Sequence, residues 1–426
     1  MAKEWIGLIC LVAFIFAIYS GVKVGHVMAL IAITGLLLIT GFKSTVSITA
    51  MMPYNAVGNS SYAAMAMFML VGEVIYRAGF GEDMFIAAER WLGRLSGGLA
   101  IATASASAVM GFITSSNIAN ITMGKIAIPE MKKANYDTSL AAGAVAGGAS
   151  MASVVPPSAG FILYAMLTGE SLAALYIAAA IPAVLLFVIM VGGIWVRCKA
   201  APEKAPKGQK YTWKEKIVSL KLIWPIALVI ILSLVGIYRG FMTPMEAASV
   251  TAFVCIVLAF LARRINLVVL KDILAELAEM LGMTSLLVTN AFIFQRLITL
   301  SGLPALITRY ISAANLSPAV VILLIMALYI VFGMVSEINA CLMVTIPIFY
   351  TIIVRLGFDP IWFGVLVVSL TELGSITPPF GMNVFTLSGI SGIPATTIFK
   401  GTWVYSASLL FLAILLLLFP GMTSIL

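Results

Sequence analysis

Two polar interruptions of apolar sequence recur at one fixed offset along the chain. Asn117 recurs as Asn339, Asp137 as Asp359, and the double proline at 156–157 as the one at 378–379, each 222 positions later (339 − 117 = 222). A double proline removes backbone donors and ends a helix, which leaves carbonyl oxygens without intrahelical partners. Within lipid, such carbonyls are tolerated only where they line a buried cavity. The paired breaks therefore predict a transport site at the interface of two structural repeats.

The first interrupted region combines a polar tip with a double-proline break. Residues 114–117 place four consecutive polar side chains in apolar sequence, and Pro156-Pro157 ends the helix that follows. Hard cations such as sodium favour carbonyl, hydroxyl and amide oxygens as ligands. An ordinary helix whose hydroxyls bond back to its own carbonyls is the alternative. The ligands predicted for a first sodium ion are Ser115, Asn117, Gly148, Ser153 and Val154.

The second region repeats this pattern and adds two carboxylates. Residues 336–339 form its tip, and the break extends over 372–383. The 222-residue offset aligns Glu337 and Glu372 with serines, so the two halves differ in charge. Intramembrane carboxylates are costly and indicate functional sites, although each could simply cap the N-terminus of a half-helix. The ligands predicted for a second sodium ion are Glu337, Asn339, Gly374, Thr377 and Gly381.

The residues predicted to bind substrate lie at the same tips and breaks. They are Ser116, Asn117, Lys125, Pro157, Ser158, Pro379 and Asn383. Lys125 follows Asn117 by eight residues, about 12 Å along a helix, so its ammonium group could meet a negatively charged group of a substrate. Snorkelling of the Lys125 side chain toward the membrane interface is the alternative.

Composition places these segments in a bilayer. Hydrophobic residues make up 62% of the 426 residues and charged residues 10%, against about 25% charged residues in soluble domains. Many apolar runs approach the roughly 17–25 residues that a crossing helix needs. The chain is therefore predicted to be an all-α polytopic membrane protein, with roughly 11 transmembrane helices plus two shorter re-entrant helical hairpins.

A basic segment divides the chain into two predicted pseudo-symmetric repeats. The first is 1–196, with a re-entrant hairpin near 98–132 and a broken helix near 140–165; the second is 222–426, with a hairpin near 320–355 and a broken helix near 361–388. The intervening residues 197–221 carry eight Lys or Arg and two Glu, a net charge of +6. The positive-inside rule places this linker in the cytoplasm. Parallel and inverted repeats both fit the division.

The residue pattern gives no support to catalysis or to ATP binding. The single histidine, His26, has no serine, aspartate or metal-ligand spacing around it. No phosphate-binding loop with the Walker spacing occurs, and the net charge of +8 reflects the basic linker rather than a nucleic-acid partner. Without an ATP-binding motif, an ion gradient is expected to supply the energy. The crossing of a charged substrate would then couple to the membrane potential at about 2.3 kcal/mol per charge per 100 mV.

Further motifs extend in collinear order from about Met67 to Gly392. They are Gly97-Gly98-Leu99-Ala100, Ile128-Pro129-Glu130-Met131, Leu167-Thr168-Gly169, Thr243-Pro244-Met245-Glu246-Ala247-Ala248 and the stretch from Glu372 to Asn383. Together they resemble the large membrane subunit of tripartite ATP-independent periplasmic transporters. The resemblance implies a sodium-coupled, elevator-type transporter of the ion transporter superfamily kind, in the bacterial inner membrane.

The same resemblance implies partners and a cargo. The partners are a small four-helix membrane subunit and a soluble periplasmic binding protein that delivers an organic anion, such as a carboxylate, a sugar acid like sialic acid, or a sulfonate. Two sodium ions would be co-transported. Two rival classes stay open: a stand-alone cation- or proton-coupled anion symporter, and a passive channel or structural membrane subunit. Uphill accumulation of the anion would exclude a channel.

Overall fold

The structure is a computed structural model that describes residues 3–19, 24–113 and 116–424; at 18–19, 112–113 and 116–118 it describes the backbone alone. The described residues form α-helices and short turns, with no β-strand among them. Ten helices precede the basic segment: α1 (Lys3–Tyr19), α2 (Val24–Thr40), α3 (Phe42–Val57), α4 (Ser60–Arg77), α5 (Phe80–Leu92), α6 (Gly98–Ile113), α7 (Ser116–Lys133), α8 (Thr138–Met151), α9 (Ala159–Thr168) and α10 (Leu172–Ala200).

Nine further helices follow the basic segment. They are α11 (Trp213–Tyr238), α12 (Pro244–Leu261), α13 (Leu267–Ser301), α14 (Leu303–Ala313), α15 (Pro318–Val335), α16 (Ile338–Arg355), α17 (Pro360–Ser375), α18 (Met382–Ser391) and α19 (Ala395–Leu418). Shifted by 222 positions, the bounds of α7 coincide with those of α16, and α8, α9 and α10 fall on α17, α18 and α19. The two series differ at α13, one long helix at the positions that correspond to α3 and α4.

Eight helical stretches are long and apolar enough to cross a membrane, or nine if the bent pair α4 and α5 counts as one span. This count covers the described residues and is lower than the roughly 11 crossings predicted from apolar runs. Part of the difference comes from helix length, because apolar helices such as α2 and α17 have fewer than 18 residues. The chain is nonetheless a multi-pass α-helical membrane protein by length and composition.

Equivalent residues start the two broken helices. Asp137 precedes α8 and accepts a hydrogen bond from the Ser139 amide at 2.9 Å; Asp359 precedes α17 and accepts one from the Ile361 amide at 2.8 Å. Burial raises the pKa of Asp137, but hydrogen bonds from Ser139 and Leu140 outweigh it and hold the pKa below its usual value. A carboxylate at this position satisfies free amides and complements the helix dipole.

Both broken helices end before their double prolines. After α8, a 3-10 turn (Ala152–Val154) leads to the Pro156–Pro157 bond, and α9 begins at Ala159; after α17, the Pro378–Pro379 bond precedes α18. Both Pro–Pro bonds are cis. The basic segment predicted as a linker is helical at both ends, because α10 continues to Ala200 and α11 begins at Trp213.

Glycines let the preceding helices pack closely on the broken ones. A Cβ atom built on Gly333 of α15 would lie 2.5 Å from the carbonyl oxygen of Thr371 in α17, too close for any side chain. The equivalent contact in the first half joins Gly111 of α6 to the carbonyl oxygen of Ala149 in α8, at 3.4 Å. Small residues at such crossings allow helix backbones to approach within a membrane.

Candidate functional site

A buried polar network joins the two broken helices where they stop. Ser153, in the turn after α8, donates a hydrogen bond to Glu372 Oε1 in the last turn of α17 at 2.6 Å. Ser150 Oγ and Ser375 Oγ lie 3.3 Å apart. Asn383, the second residue of α18, donates from Nδ2 to Ser150 Oγ at 2.7 Å and to Ser375 Oγ at 3.0 Å. Polar atoms freed by both breaks therefore meet in one place.

The 222-residue offset relates one contact of this network to another. Ser150 corresponds to position 372 and Ser153 to position 375 (150 + 222 = 372; 153 + 222 = 375). The contact between Ser150 and Ser375 therefore maps onto the contact between Glu372 and Ser153. Reciprocal contacts of this kind are the signature of a two-fold relation, in which equivalent surfaces face each other. The contacts at the ends of α8 and α17 are thus reciprocal between the two halves.

Glu372 is the only charged residue of this network. It is 1% exposed, and its carboxylate accepts hydrogen bonds from neutral donors: Ser153, Ser375 at 3.1 Å and Asn383 at 3.4 Å. The ion pairs among the described residues do not include it, and α8, α9, α15 and α18 contain no Lys, Arg or His. A buried carboxylate without a basic partner favours a bound proton or cation nearby.

The two double prolines differ in exposure. Pro156, Pro157 and Ser158 are buried, and Ser158 accepts a hydrogen bond from the Gly160 amide at the start of α9. Pro378 and Pro379 are exposed, and the following Phe380 is 52% exposed. The second break therefore opens to the surface of this chain while the first is closed by packing.

The predicted site residues fall into four groups by position. Thr114 and Ser115 lie outside the described residues, and of Ser116 and Asn117 only the backbone is described, as the start of α7. Ser153 and Asn383 belong to the network described above. Residues near it in the chain are Gly148 inside α8, Val154 in the 3-10 turn, Pro157, Ser158, Gly374, Thr377, Pro379 and Gly381. Glu337, Asn339 and Lys125 lie on α7 and α16 or at their ends.

Several of these residues already have structural contacts. Gly148 packs against Ala104 of α6, where a Cβ atom would lie 2.5 Å from a carbonyl oxygen. Thr377 donates from Oγ1 to the Leu373 carbonyl at 2.5 Å, which leaves oxygen lone pairs for another partner. Gly381 has a φ of 54°, in the left-handed region that favours glycine. Glu337 precedes α16 and is exposed.

Lys125 lies on an exposed part of α7. Its neighbour Gly124 packs on α18, where a Cβ atom would lie 2.8 Å from Leu387. Within the described part of the chain, neither a hydrogen bond nor an ion pair links Lys125 to the network at the breaks. Both interpretations of this lysine, as a substrate contact or as a snorkelling side chain, remain predictions.

Three members of the network, Ser150, Glu372 and Ser375, are absent from the predicted ligand sets, and the two serines were not singled out at all. A signal for both was present in the sequence, because the offset pairs Ser375 with Ser153 and Ser150 with Glu372. The sequence does not show that the network residues touch, because the contacting pairs are 219 to 233 positions apart. Serines in apolar helices usually bond back to their own helix, as Ser150 does to the Ala146 carbonyl at 3.0 Å.

Two broken helices that meet at a polar centre within a multi-pass helical bundle define a membrane transport protein of the kind built from repeats. The chain belongs to the family described as "Tripartite ATP-independent periplasmic transporter, DctM component", whose profile matches residues 11–422. It is accordingly a large permease subunit and a multi-pass protein of the bacterial inner membrane.

Named relatives cover most of the chain. It is 30% identical over 363 residues to the C4-dicarboxylate TRAP transporter large permease protein DctM of Pseudomonas aeruginosa, covering 84% of both chains. It is 26% identical over 425 residues to the sialic acid large permease protein SiaM of Vibrio cholerae, covering 99% of this chain and 96% of that one. For the 2,3-diketo-L-gulonate large permease protein YiaN of Escherichia coli, the identity is 27% over 380 residues, covering 88% and 89%.

A solved structure shares the fold at low identity. The crystal structure of the YdaH transporter of Alcanivorax borkumensis, described as having an unusual topology, superposes with a TM-score of 0.64 at 16% identity. The match covers 91% of this chain and 90% of that one. At this identity the likeness concerns the fold alone.

Proposed function

We propose that this chain moves a small organic anion inward by sodium-coupled secondary transport, with a periplasmic binding protein that delivers the anion and a small four-helix membrane subunit. The observation that carries the proposal is the buried network at the two helix breaks. It places a carboxylate without a basic partner among hydroxyl and amide groups, an environment that attracts a cation. Two sodium ions, one at each tip with the carbonyls of its break, are the proposed coupling ions.

The cargo is proposed as a class. The relatives named above are permeases for C4-dicarboxylates, sialic acid and 2,3-diketo-L-gulonate, and others are named for ectoine. Identities of 25–30% with several of these proteins favour none of the compounds. An organic acid fits a site where bound cations neutralise the anion before it crosses, since an uncompensated charge crosses against the membrane potential.

The mechanism is proposed as an elevator movement of one body made of the hairpins and broken helices. Two inverted repeats form this body. The matching helix bounds and the reciprocal contacts of Ser150, Ser153, Glu372 and Ser375 support the two-fold part of the proposal. The unequal exposure of the two double prolines supports access from one side at a time, because only the break at 378–379 is open to the surface.

The proposal is tested by reconstitution into liposomes. The probes are radiolabelled succinate, sialic acid and 2,3-diketo-L-gulonate, each with the cognate binding protein and small subunit present or omitted. We expect uphill uptake of one probe that requires both partners and an inward sodium gradient, with a sigmoidal dependence on sodium. Full sodium-driven uptake by the single chain would reject the tripartite assignment, and purely downhill flux would indicate a channel.

Point substitutions separate the two proposed ion sites. Asn117→Ala should raise the sodium midpoint of one site, and Asn339→Ala or Thr377→Ala that of the other, by about 1–3 kcal/mol in apparent binding energy for each lost ligand. Thr345→Ala is the matched control, because Thr345 is a buried threonine that donates to its own helix at 2.7 Å. Uptake driven by a proton gradient, lost in Glu337→Gln and Glu372→Gln but kept in the asparagine variants, would make the carboxylates the coupling groups.

A further inference from the structure

A cavity lies away from the helix breaks, at one end of α10 and α19. Its volume is about 600 Å³. Its walls are largely aliphatic and include Leu140 of α8, Ile189 and Val196 of α10, and Val404 of α19. Arg197, Lys204 and Trp403 also line it. An apolar space with basic groups along part of its wall suits a molecule with a hydrocarbon part and an anionic part.

The basic groups around this cavity outnumber the acidic groups beside them. Arg197, Lys199, Lys204 and Lys400 cluster at this end of the two helices, and none of the ion pairs within the described residues involves them. Two acids lie close by: Glu203 is exposed, and Asp137 caps α8 and also interacts with Lys204, which helps to lower the pKa of Asp137. The cluster therefore carries an excess of positive charge.

Arg197 is held in place with donors to spare. Its two terminal nitrogens donate to the carbonyl oxygens of Gly401 at 2.8 Å and Lys400 at 3.1 Å, and its guanidinium lies 5.6 Å from the Trp403 ring centroid. A guanidinium has five N–H donors, so three remain for an anion. Fixed, partly unsatisfied guanidinium groups are well suited to phosphate oxygens.

Two tryptophans place this end of the helices at the membrane interface. Trp403 is 56% exposed and Trp195 is 41% exposed, and the Lys199 ammonium lies 4.9 Å from the Trp195 ring centroid. Tryptophan and basic residues at helix ends are typical of the headgroup level of a bilayer. Basic pockets between transmembrane helices at this level bind anionic lipid headgroups.

We propose that this cavity is a binding site for an anionic phospholipid. One acyl chain lies along the aliphatic wall formed by Ile189, Val196 and Val404, and the phosphate meets Arg197 and Lys204. The excess of basic groups selects a lipid with net negative charge over a zwitterionic one. A small hydrophilic anion would leave the aliphatic wall in contact with water, so the cavity does not suit the transported cargo. The site is independent of the ions proposed for transport.

The test uses fluorescence quenching by brominated lipids in nanodiscs. The Trp403 signal is the difference between the parent protein and Trp403→Phe. We expect brominated phosphatidylglycerol to quench this signal at a lower mole fraction than brominated phosphatidylcholine. In the Lys199→Gln/Lys204→Gln double variant, the preference should fall by roughly fivefold for each charge removed. Lys271→Gln, at an exposed position of α13, is the control and should keep the preference of the parent.

Three results would overturn the proposal. They are equal quenching of Trp403 by the two lipids, an unchanged preference in the Lys199→Gln/Lys204→Gln variant, and recovery of Trp403 fluorescence with excess inorganic phosphate alone. The last result would show a simple anion site that needs no acyl chain. Arg197 is left unchanged in the test because its contacts with Lys400 and Gly401 join two helices, and their loss could alter folding.

Discussion

Glu372 sets the chemistry of the polar centre at the scale of single residues. Its side chain is held between the two halves by Ser153 on one side and Ser375 and Asn383 on the other. All of these donors are neutral, so they orient the carboxylate without cancelling its charge. A group held in this way responds to a cation bound at either break, which is how one residue could link the two proposed ion sites.

Removing the Ser375 hydroxyl should weaken sodium coupling without unfolding the protein. Ser375→Ala deletes the contacts to Ser150, Asn383 and the Glu372 carboxylate, so we expect the sodium midpoint for uptake to rise by about 1–3 kcal/mol in apparent binding energy. Ser369→Ala is the matched control, because Ser369 is a buried serine of the same helix that donates only to its own backbone, at 2.8 Å. Equal effects of the two variants would assign Ser375 a packing role alone.

A double-mutant cycle tests whether the two halves are coupled through this contact. Ser150→Ala and Ser375→Ala should be non-additive in the sodium midpoint, with a coupling energy of about 0.5–3 kcal/mol. The shifts in the sodium midpoint caused by Ser150→Ala and Ser369→Ala should add, because these two residues share no contact. Sodium titration of uptake in reconstituted liposomes is the measurement, and additivity in both pairs would contradict a linked network.

At the scale of elements, the close packing of α15 on α17 can be tested through Gly333. Gly333→Ala would force a Cβ atom to within 2.5 Å of the Thr371 carbonyl oxygen, so we expect a loss of about 1–3 kcal/mol of stability from overpacking. Gly282→Ala in α13 is the control, since nothing lies within 4 Å of its Cβ position. That variant should be neutral or more stable. Thermal unfolding of the detergent-solubilised chain distinguishes the two, and equal stability would place α15 farther from α17.

The two broken helices begin with equivalent aspartate caps, and the stabilisation by the Asp137 cap should depend on pH. Asp137→Ala should destabilise the protein by about 0.5–2 kcal/mol, whereas Asp137→Asn should retain most of the cap. Because the pKa of Asp137 is lowered on folding, its stabilisation is fully present above the unfolded value of about 3.9 and is lost as pH falls through the lower folded value. Thermal unfolding of parent and Asp137→Ala at pH 7 and in acid should therefore converge as the pH drops. A difference independent of pH would contradict the cap.

The orientation of the chain in the membrane is a property of the whole molecule. The +6 segment predicts a cytoplasmic connection between α10 and α11. The Cβ atom of a cysteine at position 208 would lie 2.6 Å from the Gly93 carbonyl oxygen, which is too close. The exposed Gln209 is therefore the better probe position. Gln209→Cys should resist an impermeant maleimide in intact spheroplasts and react after lysis. The four native cysteines are buried and should give little background. Ready labelling before lysis would reverse the orientation.

Local chemistry determined a large part of this protein from the sequence alone. Apolar composition required a membrane, and proline pairs ended helices at 156–157 and 378–379. The resemblance of short motifs named the family, which the profile match confirmed. Each of these signals depends on residues close together in the chain, so each can be read without knowing what packs against them.

Contacts between the halves were decided by the tertiary structure. The reciprocal pairing of Ser150 with Ser375 and of Ser153 with Glu372 joins residues more than 200 positions apart. The burial of the first double proline, the exposure of the second, and the basic cavity beside α10 and α19 likewise depend on which helices lie side by side. Sequence periodicity specifies which face of a helix is apolar, but not which partner covers it, because any apolar surface of suitable shape can bury that face.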